Sequence, residues 1–128
     1  MILRKVNNEY AEAYIEQDIL YFQYYKIDIL TLSIAKKLLR LRLSIQNDKS
    51  YPVLCDLRLV VQADISAMDY LAKQGSELTT AVALLVNYPH SLFTAGFYLH
   101  ISEPTTKTEI FQDALKAKEY LKKYPKSI

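Results

Sequence analysis

Apolar side chains along this chain recur with a period that switches back and forth between two and about 3.6, which forces strands and helices to alternate. Residues 10–16, YAEAYIE, put Ala11, Ala13 and Ile15 on one side and Tyr10, Glu12, Tyr14 and Glu16 on the other. That pattern is a strand with one buried face. After Gln17-Asp18, residues 19–27 are dense in tyrosine, phenylalanine and isoleucine, which favours a second strand antiparallel to the first. From Asp28 to about Gln46 the period lengthens: Leu30, Ile34, Leu38, Leu41 and Ile45 recur at helical spacing, and the basic set Lys36, Lys37, Arg40 and Arg42 is expected on the solvated face.

Asn47 to Pro52 is turn chemistry, and Val53 to Arg58 reads as a short strand buried on both faces. Ser66-Ala-Met-Asp69 has capping-box spacing in its aspartate form, so a helix is expected to start near Ser66, with the serine as its cap, and to stop at Gln74-Gly75. Ala81 to Val86 is a buried strand, and Ser91 to Ile101 a helix burying Leu92, Phe93, Phe97 and Ile101. Thr106 to Phe111 is a last strand, and Asp113 to Tyr124 a terminal helix turning Ala114, Ala117, Tyr120 and Leu121 inward. At 128 residues and 51% hydrophobic content the chain makes one domain, residues 1–128, large enough to bury a core.

Three segments carry a resemblance. Tyr51-Pro-Val-Leu-Cys-Asp-Leu-Arg58, Ala67-Met-Asp-Tyr-Leu-Ala72 and Ile110 to Leu121 together resemble the anti-sigma-factor-antagonist-like (STAS-like, SpoIIAA-like) domains, over roughly Tyr10 to Tyr124. The resemblance implies an α/β fold: a mixed, mostly parallel sheet of about five strands with helices packed on it, in the order ββαβαβαβα. It also implies a switch. In antagonists of that fold a strand-end aspartate is followed eight positions later by Asp-Ser-Ser, whose second serine is phosphorylated by a partner kinase. Asp56 and Asp64 keep that spacing and Ser66 takes the second-serine position, while Ile65 replaces the first serine and Ala67-Met68 the glycine-containing turn. Phosphate on a helix-start serine adds about −1.5 to −2 charges, and Asp64 and Asp69 would repel it. The plainer role of Ser66 is to cap its helix, and that of Asp56 is to accept hydrogen bonds from loop amides.

Other chemistries find little support. Two glycines, Gly75 and Gly96, cannot build a phosphate-cradling loop. His90 and His100, with the single Cys55, do not make a zinc site, and no cofactor or metal is expected. Asp56, Asp64, Asp69 and Glu77 lack a nucleophile and an oxyanion donor beside them, so an enzyme is not expected. Tyr21, Phe22, Tyr24 and Tyr25 alternate faces on a strand and form no stacking platform for nucleic acid. A net charge of +2 demands no polyanionic partner. The lone Cys55 in an apolar run fits a small core hydrophobe in a reducing compartment. No apolar run approaches the roughly 20 residues of a transmembrane span, and Met1 to Asn8 lacks the apolar core of a signal peptide. A cytoplasmic location is therefore expected.

The reading is a non-catalytic regulatory or interaction domain. It offers the loop after Asp56 and the helix start at Ser66, with Asp64 and Asp69, to a protein partner, and a homodimer is open to such a surface. The rival is a carrier of a small apolar, lipid-like ligand in a pocket between sheet and helices, walled by Leu92, Phe93, Phe97 and Tyr98.

Overall fold

Strand β2 (Ala11–Glu16) buries Ala11, Ala13 and Ile15 and leaves the intervening residues half-buried, the period-two pattern carried by the sequence. It pairs antiparallel with β3 (Ile19–Tyr24), and the connecting Gln17 and Asp18 both take positive φ, 51° and 64°. A two-residue hairpin loop with both residues left-handed matches the twist of the strands it joins. The computed structural model describes residues 2–87, 95–96 and 98–124.

Upstream, β1 (Ile2–Asn7) adds an antiparallel strand on the outer side of β2. Downstream come β4 (Ile27–Leu30), α1 (Leu32–Leu43), β5 (Tyr51–Asp56), β6 (Val60–Ala63), α2 (Ile65–Lys73) and a 3₁₀ turn (Gln74–Ser76). They are followed by β7 (Thr79–Leu85), a π-helical turn (Tyr98–Ser102), β8 (Thr108–Phe111) and α3 (Ala114–Leu121). The main sheet has the order β1-β2-β3-β5-β7-β8, antiparallel over its first two pairings and parallel over the other three. The mixed, mostly parallel sheet with helices on it is the fold class expected from the sequence.

Two cores form on the two faces of this sheet. Phe22, Tyr24 and Val53 pack against Ala35 and Leu38 of α1 and Ala67 of α2. On the opposite face Ile19, Leu54, Ala81, Ala83 and Leu85 meet Ala117, Tyr120 and Leu121 of α3. Strands covered on both sides need nearly continuous apolar sequence, which is what Val53-Leu-Cys55 and Ala81 to Leu85 supply. Pro52 sits inside the sheet where the β5–β7 register shifts between Tyr51 and Pro52, so its missing N–H falls at an irregularity in the ladder.

Several local features differ from the sequence reading: β1 and β6 are additional strands, the main sheet has six strands where about five were expected, and Ile101, expected to be buried, is 61% exposed. Residues 27–30 are a strand, paired parallel with β6 in a separate two-stranded ribbon, and α1 starts later, at Leu32, capped by Thr31. β-Branched Ile27 and Ile29 favour extended backbone, and the Ile27–Val60 pairing satisfies it. Arg42 is buried at 5% exposure, away from the solvated face, because it lies four residues after Leu38 and seven after Ala35, on the inward stripe. Ala114 is exposed in the first turn of α3, while Ala117, Tyr120 and Leu121 are buried. The segment expected as a helix from Ser91 is described only at Ala95, Gly96 and from Tyr98, where the backbone is a π-helical turn.

Helix α3 is stopped at its N-terminus by Asp113, whose Oδ1 accepts from the amides of Leu115 (2.8 Å) and Lys116 (3.3 Å). Asp113→Ala removes that cap and is expected to lower stability by about 1 kcal/mol, read as a lower urea midpoint with an unchanged slope.

Candidate functional site

The loop leaving β5 is tied by Asp56. Its Oδ1 accepts from the backbone amide (3.1 Å) and Nε (3.0 Å) of Arg58, and its Oδ2 from Nη2 of the same arginine (2.7 Å). The amide bond is the loop-bracing role expected for Asp56. The chain then turns through Leu57 and Leu59, which hold the amides of Val60 and Ile27, and enters β6. At the far end the Asp64 amide donates to Leu30 O at 2.9 Å. The ribbon is therefore pinned at both ends, with Val60 turned into the core and Val61 and Gln62 outward.

Helix α2 begins at Ile65, with Asp64 as the N-cap residue; the Asp64 side chain makes no capping hydrogen bond. Ser66 is not the cap: it lies inside the first turn, exposed, as is Asp69. The start falls earlier because the Asp64 amide is already committed to Leu30 and because Ala67 and Met68 must both be helical to face the core. Asp64, Ser66 and Asp69 thus share the beginning of one helix. Asp56 lies elsewhere, on the α3 side of the sheet, in a groove of about 210 Å³ with Tyr14, Tyr21, Gln23 and Lys118. Tyr14 and Tyr21 stack there with centroids 4.9 Å apart.

The rim around the start of α2 is apolar as well as acidic. Six large hydrophobic side chains are exposed among the described residues, and three of them follow one another here: Leu59 before β6, Val61 on β6 and Ile65 at the first position of α2, which is 60% exposed; a fourth, Ile29 on β4, pairs with Gln62 and so points to the other side of the ribbon from Val61.

Between the sheet and helices α1 and α2 lies a cavity lined by Phe22, Leu38, Val53, Met68, Tyr98 and others, with Arg42, Tyr24 and Cys55 among its walls. Tyr98 is among its lining residues, and Leu92, Phe93 and Phe97 lie outside the described residues. The space is about 90 Å³, below the ~150 Å³ that admits benzene, so it suits a few carbon atoms better than an acyl chain. Burial raises the Tyr24 and Tyr98 hydroxyls above the ordinary phenol range and lowers Arg42. Burial also pushes the Cys55 thiol up to about 12, against the opposing pull of Arg42. The surface Cys55 retains faces this cavity.

Such a thiol is unreactive near neutrality. Iodoacetamide at about pH 8 is expected to label the folded protein more than roughly tenfold slower than the urea-unfolded chain. The sign of the linked stability follows. The folded thiol keeps its proton above the pH, about 8.5, at which the unfolded one loses it. Stability therefore falls as pH rises from about 8.5 towards 12, and Cys55→Ala is expected to flatten the first part of that decline.

Among the described residues no group of three His, Cys, Asp or Glu side chains comes together as a metal site, and no helix is long and apolar enough to cross a membrane. A solved structure of an uncharacterised protein of the DUF3478 family from Shewanella loihica PV-4, described as having a SpoIIAA-like fold, superposes with a TM-score of 0.60 at 15% identity. The match covers 91% of this chain and 98% of that one, and at that identity it speaks for the fold. No curated protein matches the sequence significantly. A family model described as a domain of unknown function, DUF7793, matches residues 13–125, and the chain belongs to that family.

Proposed function

We propose that this is a non-catalytic interaction domain that presents the rim of Leu59, Val61 and the start of α2 to a protein partner, with Ser66 as the position at which phosphorylation controls the contact. What supports the reading is the succession of exposed Leu59, Val61 and Ile65 leading to an exposed helix-start serine. The ribbon beneath is held by backbone bonds at both ends, so the surface is preorganised and binding orders little chain. Asp64 leaves the first-turn amides of α2 without a side-chain cap, and a phosphate on Ser66 is favoured there by the helix dipole. It also places about two negative charges in the middle of an apolar contact, which opposes docking.

Two measurements test this reading. Intact mass of the protein purified from its native host is expected to show an increment of about 80 Da located at Ser66. Protein retained by the wild-type chain from the same cells is expected to be lost with Ile65→Asp and reduced with Ser66→Asp, both variants remaining folded by circular dichroism. Retention that ignores Ile65→Asp defeats the interaction surface. An unmodified Ser66 under all growth conditions defeats the switch alone.

A further inference from the structure

We propose that the cavity between the sheet and helices α1 and α2 is a binding site for a short-chain monocarboxylate, its carboxylate held by Arg42 and its carbons by the apolar walls. The site is distinct from the rim and does not depend on the interaction reading.

The charge arrangement leads to this ligand. Arg42 is buried, yet its acceptors are all neutral: Gln46 Oε1, Gly75 O at 2.9 Å and Glu77 O at 2.9 Å. No carboxylate comes within ion-pair distance of it among the described residues, and the Glu77 carboxylate acts on it only at longer range. A guanidinium carries five N–H donors; three hydrogen bonds are made, and the remaining donors have no acceptor among the described residues. Buried charges are ordinarily paired, so this one is a standing attraction for an anion. Tyr24, 6% exposed, and Tyr98 line the same cavity, and neither hydroxyl makes a hydrogen bond among the described residues. Both interact electrostatically with Arg42. A cation and two phenolic donors therefore converge on a space otherwise walled by Phe22, Leu38, Val53 and Met68.

The apolar walls select against phosphate, which has no carbon to place against them, and the volume selects against long chains. A space of about 90 Å³ against ~150 Å³ for benzene corresponds to ligands with fewer heavy atoms than benzene, such as acetate or propionate.

The test is titration of the full chain with acetate and propionate at constant ionic strength, read by amide chemical shifts and by melting temperature, with propionamide and inorganic phosphate as controls. Saturable shifts are expected at residues lining the cavity, with propionate bound at least about tenfold more tightly than propionamide, as befits hydrogen bonds to a charged group. Tyr24→Phe is expected to weaken propionate several-fold. Ala63→Leu, which fills the space from β6, is expected to abolish binding while the melting temperature holds. Arg42→Met is expected to abolish it too; if that variant does not fold, the other two carry the test. Absence of saturable shifts in the wild type, equal binding of propionate and propionamide, tighter binding of phosphate, or propionate binding that survives Ala63→Leu would each overturn the proposal.

Discussion

Arg42→Ala is expected to lower unfolding free energy by about 2–4 kcal/mol. Two effects oppose each other. Removing a buried charge that has no carboxylate partner relieves a desolvation cost. Against this, the substitution strands Gln46 Oε1 and the carbonyls of Gly75 and Glu77, each worth about 1–3 kcal/mol when left unsatisfied in a buried setting, and it deletes the packed stem beside Leu38 and Leu39. The stranded acceptors and the lost packing win because Gly75 and Glu77 frame the turn that delivers β7 to the sheet. Arg42→Met keeps the stem and is expected to lose only about 1–2 kcal/mol. Urea unfolding measures both: the two variants strand the same acceptors, so equal losses would show that the stem contributes nothing, and no loss in Arg42→Met would show that the acceptors find other donors.

Leu121→Ala is expected to cost about 2–5 kcal/mol. An eight-residue helix has almost no stability of its own, so α3 exists because Ala117, Tyr120 and Leu121 are buried against Leu54, Ala81, Ala83 and Leu85. Leu121 is the largest of its side chains to be fully buried. Truncating it leaves a methyl-lined void beneath the only helix described on that face. Amide exchange is expected to accelerate in α3 and in the edge strand β8 before the rest of the sheet, a pattern of local opening. A uniform acceleration across all strands would indicate instead that α3 and the sheet unfold as one unit.

The hairpin, β5, β7 and α3 were legible because their residues alternate or repeat with little competition: Ala11, Ala13 and Ile15 face one way, and Ala117, Tyr120 and Leu121 another. Ribbon strand β4 was not legible. Leu30 stands four residues before Ile34 and eight before Leu38, so it fits the leading edge of their helical pattern, and only the distant pairing of Ile27 with Val60 settles the backbone as extended. Strand β6 was missed for a related reason, since four residues with two exposed side chains carry no burial signal. Asp64, Ser66 and Asp69 lie at the beginning of one helix, but its cap moved by two residues, from Ser66 to Asp64, because tertiary bonding of the Asp64 amide outweighed the capping preference of serine. Arg42 escaped because charge type was weighed above position: the spacing Ala35, Leu38, Arg42 already places it on the buried stripe.

The proposed recognition surface is tested most directly by placing a photo-crosslinking amino acid at Val61, at Ile65 and at Leu115 in turn and irradiating cells that express each variant. Leu115 is as exposed as Ile65, at 62% against 60%, but lies on α3, away from the rim. Covalent adducts to one and the same protein from positions 61 and 65, with none from 115, are the expected result. Adducts from 115 with none from 61 or 65 would contradict it.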